Sequence, residues 1–210
     1  MIALIPIFVI DLSIIRCYYN YKVTTRDTTM SRDIWLISDT HFQHANILTF
    51  TDSNTGKLVR GDRFSSVEEM DETMIENWNR VVKPGDIVYH LGDVFFGNKD
   101  TFRSIWARLN GSKRLVLGNH DDAKFFVQNG LVTKVVVWRE FHEHGLLLSH
   151  IPLDPSGLYR KRHGDKSTQK MLLNVHGHIH QNPSPTEHHK CVCVEHIDYT
   201  PVNLEELRIK

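Results

Sequence analysis

Aspartate, asparagine and histidine recur in this chain in short blocks, each directly after an apolar run. In chain order the blocks are Asp39-Thr40-His41, Gly92-Asp93, Gly118-Asn119-His120-Asp121, Ser149-His150 and His176-Gly177-His178-Ile179-His180. Carboxylate and amide oxygens combined with several imidazoles suit Mn, Fe, Zn or Co better than Ca or Mg. The pattern therefore indicates a transition-metal site assembled from distant parts of the chain.

The number of these side chains favours two ions over one. Taken singly, an Asp or Asn after a strand is more often a turn former or a helix cap than a ligand, so the argument depends on the whole set. The candidate ligands are Asp39, His41, Asp93, Asn119, His150, His178 and His180. They exceed what one tetrahedral ion takes, whereas two ions about 3.5 to 4 Å apart that share a carboxylate could use them all. We expect two divalent transition-metal ions, with Mn favoured and Fe, Zn, Ni or Co as alternatives.

The elements that position these blocks read as alternating strands and helices. The apolar runs predict strands over Ile34–Ser38, Ile87–Leu91, Arg114–Leu117, Val135–Trp138, Leu146–Ser149, Met171–Val175 and Cys191–Glu195. Ser66 and Glu69 form a capping box before a helical stripe that ends at Lys83-Pro84-Gly85, and a second stripe runs from Phe102 to Leu109. This order predicts an α/β fold with two packed sheets, in which ligands bind where the strands end.

The ordered blocks DTH, GD, GNHD, SH and GHIH resemble those of the calcineurin-like metallophosphoesterase family. The stretches ISDTHFQHANI and VYHLGDV are similar to its small phage and bacterial members, and the resemblance runs from about Ile34 to the C-terminus. It implies a four-layer α/β/β/α sandwich of two mixed sheets flanked by helices. It also implies a hydrolase that acts on phosphoric esters, for which we favour a phosphodiester or nucleotide-like substrate. The same fold carries many activities, so the substrate itself is not readable from these residues.

The resemblance also implies a role for each matching residue. One ion would be held by Asp39, His41 and His180, the other by Asn119, His150 and His178, and Asp93 would bridge the two. His120 would be a catalytic residue over the leaving group, where it stabilises charge or donates a proton, and Asp121 would orient it.

Residues outside this set give weaker signals. We expect His44, Arg160 and Arg162 to bind substrate, with the basic run around Arg160 guiding a polyanion, and the polar loop from Thr51 to Arg63 to cover the site. The reading of such a run as a solvated loop stays open. The histidines expected to be buried and hydrogen-bonded are His90 and His176, and those expected at the surface or in loops are His142, His144, His188 and His189.

Composition places the chain among ordinary globular proteins. It has 210 residues, 40% of them hydrophobic and 24% charged, and a formal net charge of zero. This balance gives no overall attraction to nucleic acid or to an anionic membrane, so recognition of a nucleotide or nucleic acid would be local. Three cysteines cannot form a disulfide framework, and we expect a cytoplasmic protein without an obligate protein partner. The 14 histidines are the unusual feature, and a metal site explains part of that excess.

The first residues are predicted to lie outside the domain. Residues 1–32 read as an apolar and then polar extension that is dispensable, with Met30 as the working start, and residues 33–210 as the metallophosphoesterase domain. The apolar stretch Met1 to Ile15 contains Pro6 and Asp11 and is shorter than the about 20 residues that cross a membrane. Two alternatives stay open at this point: a phosphohydrolase tethered to a membrane by that stretch, and a binding or scaffold protein that has lost catalysis.

Overall fold

The computed structural model of the protein describes residues 32–53, 55–159 and 171–207. The predicted extension over residues 1–32 therefore lies outside the described residues, apart from Arg32. In the described part the α-helices are α1 (Val67–Val81), α2 (Lys99–Arg108) and α3 (Ala123–Gln128). The strands are β1 (Ile34–Ile37), β2 (Ile87–His90), β3 (Ser112–Val116), β4 (Lys134–Val136), β5 (Trp138–Phe141), β6 (Leu146–Ser149), β7 (Leu173–His176), β8 (His189–Cys191) and β9 (Val202–Asn203). None of the described helices is long and apolar enough to cross a membrane.

The strands form two sheets, and both are mixed. The first has five strands in the order β4-β3-β2-β1-β9, in which β1 to β4 run parallel and β9 is antiparallel to β1. The second has four strands in the order β5-β6-β7-β8, with β5 antiparallel and the others parallel. The predicted fold class, two mixed sheets with flanking helices, is confirmed.

Two hydrophobic cores cover the two faces of the first sheet. Neighbouring residues of a strand point to opposite faces, and accordingly Ile37 packs in one core while Leu36 packs in the other. The first core joins this sheet to the helices through buried residues of α1, α2 and α3, among them Met74, Trp78, Phe102, Trp106 and Phe126. The second core joins it to the other sheet through Leu36, Tyr89, Val116, Leu146, Leu148 and Val175. Strands buried on both faces explain the continuous apolar runs in the sequence.

The helix predicted after Ser66 forms as expected. The Ser66 side chain accepts a hydrogen bond from the backbone N–H of Glu69 at 3.1 Å, which caps α1. The Glu69 carboxylate accepts from the backbone N–H of Ser65 rather than from that of Ser66, at 2.8 Å. The cap and the apolar stripe together fix where α1 begins and which side of it meets the sheet.

Most predicted strands differ from the observed ones by one or two residues at their ends, but two predicted strands do not form as single strands. The run Val135–Trp138 divides between the sheets, because the chain leaves the first sheet after Val136 and enters the second at Trp138. The run Cys191–Glu195 stops being a strand after Cys191, and residues Val194–His196 form a 3-10 helix. Between the end of β8 and this 3-10 helix, the backbone of Cys193 pairs with Ser38, which follows β1. The chain after β8 therefore links the second sheet to the first.

Candidate metal centre

The polar blocks meet where parallel strands of the two sheets end. They follow β1, β2 and β3 in the first sheet and β6 and β7 in the second. Backbone hydrogen bonds tie the loops together: Asp39 N–H donates to Gly92 O at 3.0 Å, and His41 N–H donates to Asp93 O at 3.1 Å. In the second sheet, Gly177 N–H donates to His150 O at 2.8 Å, and across the sheets His178 N–H donates to Asp39 Oδ2 at 2.9 Å. The strands therefore hold residues far apart in sequence at one place, as expected for a ligand site in an α/β fold.

Five of the candidate ligands have left-handed backbone conformations. Their φ angles are +57° at Asp39, +46° at His41, +56° at Asp93, +70° at His178 and +49° at His180. A residue other than glycine in this region costs about 1–3 kcal/mol and persists only where its surroundings fix it. Such strain clusters at functional sites, and here it coincides with the residues that the sequence marks as ligands.

Asp39, His41 and His180 form the first group of candidate ligands. One ligand atom from each lies within 4.8 Å of those of the other two. Nε2 of His41 is 3.8 Å from Oδ1 of Asp39, and Nε2 of His180 is 4.0 Å from the same oxygen. Asp39 and His41 are buried, so an ion here would be screened from bulk water by the protein.

Asp93, His150 and His178 form the second group, again with ligand atoms within 4.8 Å of one another. Nε2 of His150 is 3.5 Å from Oδ2 of Asp93 and 2.9 Å from Oδ1 of Asn119. Nδ1 of His150 is 2.7 Å from the Leu91 carbonyl, which can only accept, so Nδ1 carries the proton and Nε2 is the nitrogen that remains for a metal. Oδ2 of Asp93 is also 3.8 Å from Nε2 of His41, so this carboxylate reaches both groups.

The residues present fit divalent metal ions. Among the described residues, Asp39 Oδ1 and both ring nitrogens of His41 are buried and have no hydrogen-bond partner in the protein. A buried polar atom without a partner costs about 1–3 kcal/mol, and an ion between these atoms would remove that cost. Two groups of imidazoles and carboxylates, with one aspartate within reach of both, suit a pair of divalent metal ions.

The histidines also control the charge of the aspartates. Burial raises the pKa of Asp39, but the imidazole of His41, 3.8 Å away, and the nearby His180 and His150 outweigh it and bring that pKa well below its usual value. Burial likewise opposes ionisation of Asp93, and the imidazole of His150, 3.5 Å away, lowers its pKa overall. Both carboxylates are therefore ionised at neutral pH, which is the form that binds a metal.

Behind His180, a buried Arg60 and Glu195 complete the site. Glu195 Oε1 accepts from Nδ1 of His180 at 3.0 Å, which leaves Nε2 of His180 for a metal. Arg60 donates to the same oxygen and also to the carbonyls of Asp39 and Thr40, at 2.6 and 2.9 Å. Burial raises the pKa of Glu195, but Arg60 and His180 outweigh it and bring the pKa to about 2. The sequence gives no local signal for this pair, which was not among the predicted site residues.

The family of the chain follows from a comparison with known protein families. The sequence model of the calcineurin-like phosphoesterase family matches residues 32–203. This range includes every candidate ligand. The chain belongs to this family. Family membership together with the two ligand groups supports a metal-dependent phosphoesterase.

Relatives of this phosphoesterase occur in archaea, phages and bacteria. An uncharacterized protein of Methanocaldococcus jannaschii is 35% identical over 188 residues, which cover 83% of this chain and 88% of that protein. The gene 66 protein of Mycobacterium phage L5 is 28% identical over 171 residues, covering 70% and 76%. The crystal structure of a protein of unknown function from Aquifex aeolicus superposes with a TM-score of 0.61 at 27% identity, over 84% of this chain and 98% of that one.

His120 and Asp121 lie beside the ligand groups. His120 is exposed, its backbone N–H donates to Asp93 Oδ1 at 3.0 Å, and its ring centroid lies 6.0 Å from that of His41. In the described structure the Asp121 carboxylate accepts from the backbone N–H groups of Gly118, Asp93 and Val94 at 2.9 to 3.0 Å. Asp121 thus fixes the loop that carries Asp93, and the hydrogen bonds described for it do not involve the His120 ring.

A cavity of about 370 Å³ opens beside the first ligand group. His41, His120 and His180 line it together with His44, which the sequence predicts to bind substrate. Thr51 and Val59 of the loop Thr51–Arg63 line it too, so part of that loop borders the site. Burial is the main cause that lowers the pKa of His44 to about 4, and electrostatic repulsion by His41 and Arg60 adds to it. The other predicted substrate-binding residues, Arg160 and Arg162, lie outside the described residues.

Three of the described histidines outside the ligand groups are buried, two of them as predicted. His90 and His176 are buried as predicted, with His90 Nε2 2.9 Å from Thr40 Oγ1 and His176 Nδ1 2.9 Å from the Gly177 carbonyl. The prediction that His189 lies at the surface is wrong. His189 is buried, because its ring contacts the Thr186 hydroxyl at 2.8 Å and the Leu153 carbonyl at 2.7 Å.

Proposed function

We propose that this protein is a hydrolase that uses two divalent metal ions to cleave phosphodiesters, with nucleotide-like substrates favoured. One observation carries the proposal: carboxylates and imidazoles from separate strand ends converge while the buried Asp39 Oδ1 and His41 Nε2 find no partner within the protein. The complete set of candidate ligands supports an enzyme over a scaffold of the same fold that has lost catalysis.

The ligands divide between two ions. Asp39, His41 and His180 would hold one, Asn119, His150 and His178 the other, and Asp93 both. Ions held there would supply the Lewis acidity that makes water a stronger nucleophile and that neutralises charge on the phosphoryl oxygens. We favour Mn because carboxylate, amide and imidazole donors are mixed in one site. With water as the attacking group, no side chain has to act as a nucleophile.

His120 would donate a proton to the leaving oxygen. Its exposed ring borders the cavity, and its backbone N–H is fixed on the carboxylate of Asp93, which reaches both ligand groups. The ring is thereby held next to the place where a bridging phosphate would lie. A general acid at this position neutralises the alkoxide that forms when the P–O bond breaks.

The charge of the cavity supports a diester over a monoester. The described residues that line it include no lysine or arginine. A phosphomonoester carries a charge of about −1.5 to −2, whereas each phosphodiester carries about −1. A cavity whose described lining offers no lysine or arginine charge suits the less charged group. We also propose a cytoplasmic location, which the free, buried Cys191 and Cys193 support.

A substrate and metal panel tests the proposed function. Chelator-treated protein would be resupplied with Mn, Ni, Co or Mg and assayed on bis-p-nitrophenyl phosphate, p-nitrophenyl phosphate, cyclic nucleotides and short single-stranded DNA. We expect activity that depends on added metal, is highest with Mn and is greater on the diester than on the monoester. Asp93→Asn should abolish it, and the control His142→Gln, at an exposed histidine, should not. Failure to bind any of these metals would contradict the proposal.

A further inference from the structure

Two phenylalanines stand exposed at the edge of the candidate site. Phe50 is 48% and Phe96 is 50% exposed, although most large apolar side chains of the described domain are buried. A single exposed apolar residue needs no explanation, but exposed apolar residues grouped beside a cavity mark a binding surface. Phe50 lines the cavity that contains His120, and Phe96 contacts His120 directly.

Together with His44, the two phenylalanines form a continuous row of rings. We name Phe50, His44 and Phe96 the aromatic row, and its Phe96 end contacts His120. The rings of His44 and Phe96 are stacked, with centroids 4.6 Å apart and planes at 18°. Phe50 meets His44 edge-on at 5.5 Å, and Phe96 meets His120 edge-on at 5.6 Å. The row therefore leads from the loop Thr51–Arg63 to the proposed general acid.

The backbone holds Phe96 out of the core. Its neighbour Phe95 points inward and stacks on Phe102 with ring centroids 3.9 Å apart. Phe96 N–H donates to the Phe42 carbonyl at 2.9 Å, just after the block that contains Asp39 and His41. This pairing fixes the direction of the Phe96 side chain relative to the ligands, so its exposure is built into the loop.

Phe50 is held in a similar way. Its carbonyl accepts from Val59 N–H at 2.8 Å, and the adjacent Thr51 pairs with Leu58 as an isolated bridge. The cavity beside it has apolar lining from Ile47 and Val59 and polar lining from Gln181 and Asn182. A nucleobase has the matching properties, since its flat surface stacks on aromatic rings while its edge forms hydrogen bonds with amide side chains.

We propose that the aromatic row binds the base of a nucleoside that leaves from phosphorus beside His120. The inference rests on the proposed function and specifies its substrate class: phosphodiesters in which the leaving group is a nucleoside. In the reaction, the oxygen of water bonds to phosphorus, the P–O bond to the nucleoside breaks, and the nucleoside oxygen takes up the proton. Stacking holds the base at one end of the nucleoside and thereby places the oxygen at the other end near the proton donor.

Matched dinucleotides test this inference. The substrates are thymidylyl-thymidine and two analogues in which one or the other thymine is replaced by hydrogen, so that the phosphodiester and the sugar oxygens stay the same. We expect removal of the base on the leaving nucleoside to lower kcat/KM about tenfold, mainly through KM. Equilibrium dialysis of chelator-treated protein gives the corresponding change in Kd without turnover.

Variants of the row identify where the base binds. Phe50→Ala and Phe96→Ala should each lower kcat/KM for thymidylyl-thymidine several-fold. They should leave kcat/KM nearly unchanged for the analogue that lacks the base on the leaving nucleoside, because the contact between ring and base is already missing there. Phe96→Trp should retain the preference. Trp138→Ala, at an aromatic residue that is 58% exposed on β5, is the matched control and should change neither substrate.

The outcomes separate the two proposals. If bis-p-nitrophenyl phosphate is cleaved but the wild-type protein treats thymidylyl-thymidine and both abasic analogues alike, the base-binding inference is wrong and the proposed function stands. Equal loss on base-bearing and abasic substrates in Phe96→Ala would also overturn the inference. If no diester is cleaved with any metal, both proposals fail.

Discussion

Arg60 and Glu195 form a buried ion pair 135 positions apart in sequence, with Nη2 of Arg60 2.7 Å from Oε1 of Glu195. The same oxygen accepts from Nδ1 of His180 at 3.0 Å. A partner of this kind fixes the tautomer and the orientation of a metal-binding imidazole, and it makes the other nitrogen more basic. The pair also ties the loop that contains Arg60 to the backbone of Asp39.

The first prediction concerns this pair. Glu195→Gln should weaken binding of the ion held by Asp39, His41 and His180 by about 10- to 100-fold, because the neutral amide supports the His180 ring less well. Binding of the other ion should change much less. Calorimetric titration of chelator-treated protein with Mn measures the affinities for the two ions separately. The control Glu72→Gln removes an exposed ion pair with Arg108 and should leave both affinities unchanged. Equal weakening of both ions would contradict this role.

The second prediction concerns Asn119, whose Oδ1 lies 2.9 Å from Nε2 of His150. Asn119→Ala removes a candidate ligand next to the second group without changing any residue of the first group. We expect one of the two ions to bind more weakly and activity to fall in proportion, with activity recovering at high Mn concentration. Elemental analysis after dialysis, together with activity measured against Mn concentration, checks this. Loss of activity with both ions retained would show that Asn119 is not a ligand.

The third prediction separates His120 from the ligands. His120→Ala should leave the metal content near that of the wild type, because its hydrogen bond to Asp93 is made by the backbone N–H, which alanine retains. The value of kcat should fall about 10²- to 10⁴-fold for diesters with poor leaving groups and much less for p-nitrophenyl esters, whose leaving group needs no proton. A series of aryl and alkyl methyl phosphates measures this dependence. Equal losses across the series would refute the acid role.

The place where the candidate ligands converge was predictable from sequence because its signals are local. Asp39, Asp93 and Asn119 each come within three residues of the end of a buried parallel strand, and parallel strands place those ends at one edge. The GHIH block adds two imidazoles at fixed spacing. An apolar run followed by a polar block therefore predicts both a strand and the position of the site at its end.

The rest depends on contacts that no local pattern encodes. Arg60 reads as one charge in a polar loop, and its burial against Glu195 exists only once that loop folds over the end of β1. The run Val135–Trp138 has the apolar character of one strand, but which sheet each residue joins is decided by the pairing of β4 with β3 and of β5 with β6. His189 was assigned to the surface because its partners, Thr186 and Leu153, are recognisable only in the folded chain.

The fourth prediction uses the close packing at Gly177. A Cβ added there would collide with Ser38 Oγ and Asp39 Oδ2, both fully buried. Gly177→Ala should displace the Asp39 carboxylate, lower metal affinity at least tenfold and reduce the free energy of unfolding by about 1–3 kcal/mol. Gly85→Ala is the matched control, since its added Cβ would meet nothing within 4 Å. Metal titration and urea denaturation measure both effects. Wild-type metal affinity in Gly177→Ala would contradict the described packing.

The fifth prediction concerns Asp71, a buried carboxylate on α1 that accepts from the backbone N–H of Gln43 at 3.0 and 3.2 Å. Burial raises its pKa from 3.8 to about 7, with Glu68 and Glu72 adding to the effect against the hydrogen bond from Gln43. An acid with a higher pKa in the folded state than in the unfolded state binds its proton more tightly when folded. Its contribution to stability is therefore complete below about pH 4 and declines as the pH rises through 7.

Asp71→Asn removes this decline, because asparagine keeps an oxygen for Gln43 but never ionises. We expect the variant to gain on the order of 1 kcal/mol over the wild type at pH 8, or about 3 °C in Tm, and to gain little at pH 4. Thermal unfolding of both proteins across this range gives the difference at each pH. Asp62→Asn, at an exposed aspartate, should show no such trend. A variant that is less stable than the wild type by the same amount at every pH would mean that the Asp71 charge costs the fold nothing.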